Sequence, residues 1–477
     1  MLFRMEKLVR FRLRTASLAL AAAIGAAMPA AATAQNTPQT ADSAAVNEFA
    51  EVYKAFIGEA RTDATFVEAA IELAEASGFQ AFAGTSSLRP GEKLYFNNRG
   101  RTLVLLVVGR EKFRDGFRIV GAHIDSPFLE LKARPIHRAG QFVQFQTMPH
   151  GGIKNYQWVN RPLALIGNVH KKDGSRVAIR LGLRPGEPVF VIPDLAPHVD
   201  VPQRERRSRD VVAGEEMDPL VFSADSIAEA DLSAAVRLHL KHAYGIEEDD
   251  LVSAELCFVP AEAPRDVGFN RALVAAYGQD DKAGAYTALR AILESGTPQF
   301  TSVAFLVNNE EVGSNNNTGA GSSALNDFLA DLIYRQEGEA YRDVVARHAL
   351  RLTYVLSADM NPGMDPIWPG TLESDNAPRL GRGLNFKIYG RGNSPSAALT
   401  ARLRKILDDE KIPWQVMTYK VGAGGGGTIG GFLSDDNMEV IDVGIPMLSL
   451  HSPYEISSKS DIHFLYRAMK AFYAKLE

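Results

Sequence analysis

Five short apolar runs in this chain end in side chains that can bind a metal ion. They are Val120-Gly-Ala-His123-Ile-Asp125, Tyr277-Gly-Gln-Asp280-Asp281, Leu306-Val-Asn-Asn-Glu310-Glu311, Leu356-Ser-Ala-Asp359 and Leu448-Ser-Leu-His451. Two histidines with several carboxylates and no cysteine make a hard-to-borderline donor set. It suits a pair of divalent ions such as Zn²⁺, Mn²⁺ or Co²⁺. Each string alone has an ordinary explanation. A histidine at a strand end is often a hydrogen-bonded core residue, and Asp280-Asp281 could cap a helix starting at Lys282. Five such endings together weigh differently, because burying that many ionisable groups without compensation is prohibitive and coordination supplies it.

Other catalytic signatures are missing. The chain has no Gly-x-Ser-x-Gly, no His-Glu-x-x-His and no phosphate-binding Gly-Lys-Ser/Thr. Gly422-Ala-Gly-Gly-Gly-Gly427 satisfies Gly-x-Gly-x-x-Gly, but only 50 residues follow it, too few for a nucleotide-binding domain. Backbone lining a substrate cleft, or a flexible loop, explains it better. The single cysteine, Cys257, lies in the apolar run Ala254–Val259 and reads as an inert core thiol.

The elements that must position these residues alternate between strand and helix. Residues 47–78 carry helical spacing, followed by strands at 93–96, 102–108 and 117–122. After Pro260, helices at 282–293, 324–332, 396–407 and 461–475 alternate with strands at 302–307, 353–357 and 446–450. This predicts an α/β domain, a mixed sheet covered by helices, whose strand ends gather the ligands. Between 128 and 259, Gly and Pro recur every few residues and strands are short, with helical periodicity mainly at 226–242. That segment reads as an inserted β-rich domain, leaving residues 48–127 and 260–477 as one discontinuous catalytic domain.

The first 34 residues belong to another function. Arg4, Lys7, Arg10, Arg12 and Arg14 precede an apolar run from Ala16 to Met28, then Ala32-Thr33-Ala34, the layout of a signal peptide. The run is too short to span a bilayer. Removing it takes away five basic side chains and Glu6, moving the formal charge from −5 to −9. An exported chain that acidic argues against nucleic acid or an anionic membrane as partner, and the basic cluster Arg204–Arg209 reads as a solvated loop. The expected location is periplasmic or secreted.

The five strings resemble those of the aspartyl aminopeptidase family of dinuclear zinc metallopeptidases, from about residue 48 to the C-terminus. Further matching stretches are Gly151-Gly-Ile-Lys-Asn-Tyr-Gln-Trp158, Leu251-Val-Ser-Ala-Glu-Leu256, Gly427-Thr-Ile-Gly430 and Val443–His451. The resemblance implies that Asp280 bridges two metal ions, with His123 and Asp359 completing one site and Glu311 and His451 the other. It makes Glu310 the general base, acting on a water between the ions, and gives Asp125 the second N–H of the His123 ring. It also implies a peptide substrate, Gly427 and Thr428 beside it, and a homo-oligomer, from dimer to dodecamer, built through the inserted domain. Acid-selective members carry a histidine shortly after the aspartate ligand and another before the tryptophan. Here those places hold Pro362 and Tyr156, which puts the chain nearer the divergent bacterial branch. A related amidohydrolase acting on acyl-amino acids or carboxypeptidase-type substrates, and a non-catalytic metal-binding scaffold, remain the alternatives.

Overall fold

The computed structural model describes residues 43–84, 88–224, 231–388, 396–422 and 424–476. The proposed signal peptide at 1–34 therefore lies outside the described residues. Strands β1 (Gln80–Ala81), β2 (Lys93–Asn98), β3 (Thr102–Val107) and β4 (Phe117–His123) open the main sheet. The chain then leaves it for β5 (Phe128–Ala139), β6 (Phe142–His150), β7 (Leu163–His170), β8 (Arg176–Leu181), β9 (Leu220–Ser223) and β10 (Ala254–Pro260). These six pair antiparallel with one another in the order β8-β7-β10-β5-β6-β9. The helix in this segment runs Leu232–Tyr244. Cys257 is buried in β10, and burial pushes its thiol pKa up, as an inert core thiol requires.

The chain returns through β11 (Arg265–Val267) and β12 (Leu273–Ala276), then β13 (Thr301–Val307), β14 (Tyr354–Ala358), β15 (Asn361–Pro362), β16 (Leu384–Lys387), β17 (Trp414–Met417), β18 (Glu439–Gly444), β19 (Pro446–Met447) and β20 (Glu455–Ser458). The main sheet has nine strands in the order β1-β2-β3-β13-β4-β14-β18-β16-β17 and is mixed. Its centre is parallel, with β4 flanked by β13 and β14 running the same way.

Alternation along the strands explains why helices cover both faces. Leu103, Leu105, Val120, Ala122, Ala304 and Leu306 point to one side, under helices Ser43–Glu59, Gln279–Leu293 and Lys459–Lys475. Val104, Leu106, Ile119, Val303 and Phe305 point to the other, under helix Ala324–Glu337. A strand buried on both faces must be apolar throughout, and every residue of β3 is buried. The six-stranded sheet has a separate core around Phe145, Trp158, Leu165, Ile166 and Phe258. The 47–78 segment splits into two helices because Thr62 caps the second, exchanging hydrogen bonds with Thr65.

Two expected strands differ in kind. The run before Asp280 is β12, which pairs with β11 and β20 in a three-stranded sheet rather than with the main one. The 446–450 strand shrinks to β19, two residues paired with β15. The turn after it, with Ser449 and His451 at positive φ, leaves extended structure.

Candidate metal centre

Three of the five strings end on adjacent parallel strands. β4 delivers His123, β13 leads to Glu310 and Glu311, and β14 leads to Asp359, so their carboxyl ends open onto one place. Asp280 and His451 arrive from outside the main sheet, one at the distorted start of helix Gln279–Leu293 and one on the turn after β19. The five converge nonetheless. His123, Asp280 and Asp359 form one set and Asp280, Glu311 and His451 a second, the donor atoms of each lying within 4.8 Å of one another.

Asp280 stands between the histidines. Its Oδ1 is 3.5 Å from His123 Nε2, and its Oδ2 is 3.3 Å from His451 Nε2. Asp359 Oδ1 lies 3.7 Å from His123 Nε2, and Glu311 Oε2 lies 3.7 Å from His451 Nε2. Glu310 reaches toward the first set, its Oε2 being 3.9 Å from His123 Nε2. Both glutamates sit on a single turn of 3₁₀ helix, Glu310–Val312, so the alternation of a strand does not part them. The turn does so instead, directing Glu310 toward His123 and Glu311 toward His451.

The residues fit cations. Asp280 Oδ1 and Glu311 Oε1 are buried and hydrogen-bonded to nothing in the described structure, a costly state that coordination relieves. The histidines respond to the same crowding. Burial works against the charged His123 ring, yet Asp125, Asp280 and Asp359 hold its pKa well above the ordinary value. His451 is raised to about 11 by Asp280 and Glu311 against its own burial. Burial and the neighbouring carboxylates push Glu310 up to about 7 against the pull of His123.

Asp125 faces the His123 ring and does more besides. His123 Nδ1 meets the Asp125 backbone carbonyl at 3.1 Å, and the Asp125 carboxylate is 3.4 Å away. The carboxylate also accepts the backbone N–H groups of Glu310 (3.1 Å, Oδ1) and Glu311 (3.2 Å, Oδ2). It is buried, and through these bonds it positions the two glutamates. His451 has a matching anchor, its Nδ1–H donating to the Gly152 carbonyl at 2.8 Å, which leaves Nε2 for a metal. The Thr428 hydroxyl is engaged, donating to Asp442 Oδ1 at 2.7 Å and accepting the Gly430 N–H at 3.0 Å. These bonds use the hydroxyl's proton and one of its two acceptor lone pairs. Gly427 is exposed with open space around it.

Five further residues shape the site in roles that the strings did not display. Lys387 on β16 donates to Asp359 Oδ2 at 2.8 Å. Buried Lys282, whose pKa burial lowers to about 8, donates to Ser126 Oγ at 2.6 Å, and Ser126 Oγ–H donates to the Asp280 carbonyl at 2.6 Å. Asp281 Oδ2 accepts the His123 N–H at 3.2 Å, so it anchors a ligand strand rather than only capping a helix. Glu455 accepts two backbone N–H groups, those of Asp280 and His451. A signal for the last existed in its place four residues after His451. For Lys387, no local pattern pointed to the site.

A helix-covered mixed sheet whose strand ends gather two donor sets around one shared carboxylate defines a metal-dependent hydrolase. More narrowly, the chain belongs to the aminopeptidase I zinc metalloprotease (M18) family, whose model matches residues 56–473. It is 38% identical over 434 residues to a probable M18 family aminopeptidase 1 of Clostridium acetobutylicum, covering 88% of this chain and 93% of that one. The crystal structure of the M18 aminopeptidase of Thermotoga maritima superposes with TM-score 0.86 at 35% identity, covering 92% of this chain and 98% of that one. The S. cerevisiae mApe1 dodecamer shares the fold, with TM-score 0.73 at 20% identity, covering 89% of this chain and 96% of that one. The chain is thus a metal-dependent aminopeptidase.

Proposed function

We propose that the chain removes N-terminal residues from peptides using two divalent cations per subunit, most simply Zn²⁺. His123, Asp280 and Asp359 hold one and Asp280, Glu311 and His451 the other. The observation that carries this reading is Asp280, whose two oxygens face two different histidines at 3.5 and 3.3 Å. When bound, such cations supply Lewis-acid polarisation of the scissile carbonyl and acidify a water in the pocket. Glu310, which belongs to neither donor set, accepts the proton of the attacking water and returns it to the leaving amine. Asp125 keeps Glu310 in reach by holding its backbone N–H.

Aminoacyl and N-acyl chromogenic substrates, assayed with and without chelator, test the reading. Cleavage of free-amine substrates that chelator abolishes is expected. Cleavage of N-blocked substrates alone would overturn it.

The same proposal extends to assembly and location. The connection between β8 and β9 exposes Val189, Val199 and Val201, at 46%, 60% and 55% exposure, which supports self-association through that unit. A light-scattering mass of one chain would contradict it. The sequence of residues 1–34 supports export with cleavage after Ala34, so that the mature chain begins at Gln35. N-terminal sequencing of periplasmic or secreted protein checks this, and finding residues 1–34 retained on cytoplasmic protein would defeat it.

A further inference from the structure

Ligand side chains are placed only as well as the backbone that carries them, and two of the five ride on irregular backbone. His451 has φ 61, and Asp280 has φ −83 and ψ 114 at the interrupted start of its helix. Regular structure therefore holds neither turn. Both N–H groups instead point at one side chain. His451 N–H donates to Glu455 Oε1 at 2.7 Å, and Asp280 N–H donates to Glu455 Oε2 at 3.1 Å.

Glu455 is itself firmly placed. It is 1% exposed and begins β20, where it pairs opposite Ala276, the last residue of the strand leading to Asp280. Its backbone carbonyl accepts Gln279 Nε2–H at 2.6 Å. Gln279 Oε1 in turn accepts the hydroxyls of Ser457 at 2.5 Å and Tyr53 at 3.3 Å. The bridge thus stands on a fixed base.

The remaining ligands have other anchors. His123 N–H donates to Asp281 Oδ2 at 3.2 Å, Asp359 N–H to the Val443 carbonyl at 3.0 Å, and Glu311 N–H to Asp125 Oδ2 at 3.2 Å. Glu455 is the side chain that joins the shared ligand to a ligand of the second set only.

We propose that Glu455 is a positioning residue that sets the spacing of Asp280 and His451, and with it the affinity of the second cation site. This rests on the two-cation reading above. Only a glutamate serves this place. Its two oxygens accept two N–H groups on either side, whereas glutamine would turn an NH₂ toward one of them. Aspartate is a methylene short of spanning both.

The test uses Glu455→Gln and Glu455→Asp in the full chain, stripped of metal and titrated with Zn²⁺ against a chromophoric chelator. Thermal unfolding is followed with and without Zn²⁺. Wild type is expected to bind two ions. In Glu455→Gln the second ion should bind on the order of 10- to 100-fold more weakly, the range for loss of a group that orients a ligand. The first should change less than about threefold by the same standard, and the metal-free melting temperature should not fall. Glu455→Asp should weaken the second ion too, and decides the matter if the glutamine variant does not fold. Two ions bound with wild-type affinity would overturn the proposal. So would equal weakening of both ions together with a lower metal-free melting temperature, the mark of a residue that only supports the fold. A wild-type chain that binds fewer than two ions overturns the reading beneath, and this inference with it.

Discussion

His150 and Asp125 meet where the two sheets adjoin. The His150 Nε2–H donates to Asp125 Oδ2 at 3.1 Å, and the imidazole lies stacked on Phe128 with ring centroids 4.2 Å apart. Because Asp125 holds the backbone of Glu310 and Glu311, the last residue of β6 reaches the proton acceptor through one intervening carboxylate. His150→Phe keeps the stacking and removes the donor. It is expected to lower kcat by about tenfold, the low end for loss of an outer partner. KM and melting temperature should change little, and steady-state kinetics beside a thermal melt check both.

The adjacent glutamates should separate by metal content. Glu310→Gln keeps the shape, removes the proton acceptor and should retain both ions while kcat falls by on the order of 10² to 10⁴. Glu311→Ala deletes a ligand and should lose one ion and the activity with it, with partial recovery in excess metal. Metal analysis of the purified variants decides. A Glu310→Gln protein that loses metal, beside a Glu311→Ala protein that keeps two ions, reverses the assignment.

Chelation should destabilise the protein, and more so at higher pH. Glu310 and Glu455 have folded pKa values raised to about 7 and about 8, chiefly by burial. A carboxyl with a raised folded pKa favours the folded state while protonated, and that advantage is lost as pH climbs from the unfolded value through the folded one. The raised His123 and His451 act in the same sense, since each loses its folded-state advantage as pH rises above the unfolded histidine value. The lowered pKa values of Asp125 and Asp280 contribute their change at more acid pH. The melting temperature of metal-free protein should therefore decline between pH 5 and 8, and Zn²⁺ should restore it most at pH 8. A flat metal-free profile would contradict this.

Asp461 gives a second pH signal, independent of the cations. It lies in the first turn of helix Lys459–Lys475 and accepts the N–H groups of Gly381 and Gly383 at 2.7 and 2.8 Å. Burial nonetheless raises its pKa to about 7. Its contribution therefore favours folding at acid pH and fades as pH rises through 7. Asp461→Asn cannot titrate. The stability difference between wild type and this variant, measured with Zn²⁺ present, should be largest near pH 5 and shrink by pH 8.

The sequence by itself carried the parts of this protein that depend on periodicity and side-chain type. The apolar runs of β3, β4, β13 and β14 announced a sheet buried on both faces, because such strands have no polar face to show. The polar residues ending those runs announced the donor set, because unpaired carboxylates are too costly to bury in such number. Only the tertiary structure decided how the ligands are held. Asp280 and His451 come from outside the main sheet, and the carboxylates of Asp125, Asp281 and Glu455 each grip backbone N–H groups, which a motif of side chains does not display. Lys387 reaches Asp359 from a strand 28 positions further along the chain. Such pairings arise from chain segments brought together by the packed sheets, and no local spacing encodes which distant backbone donor a buried carboxylate will meet.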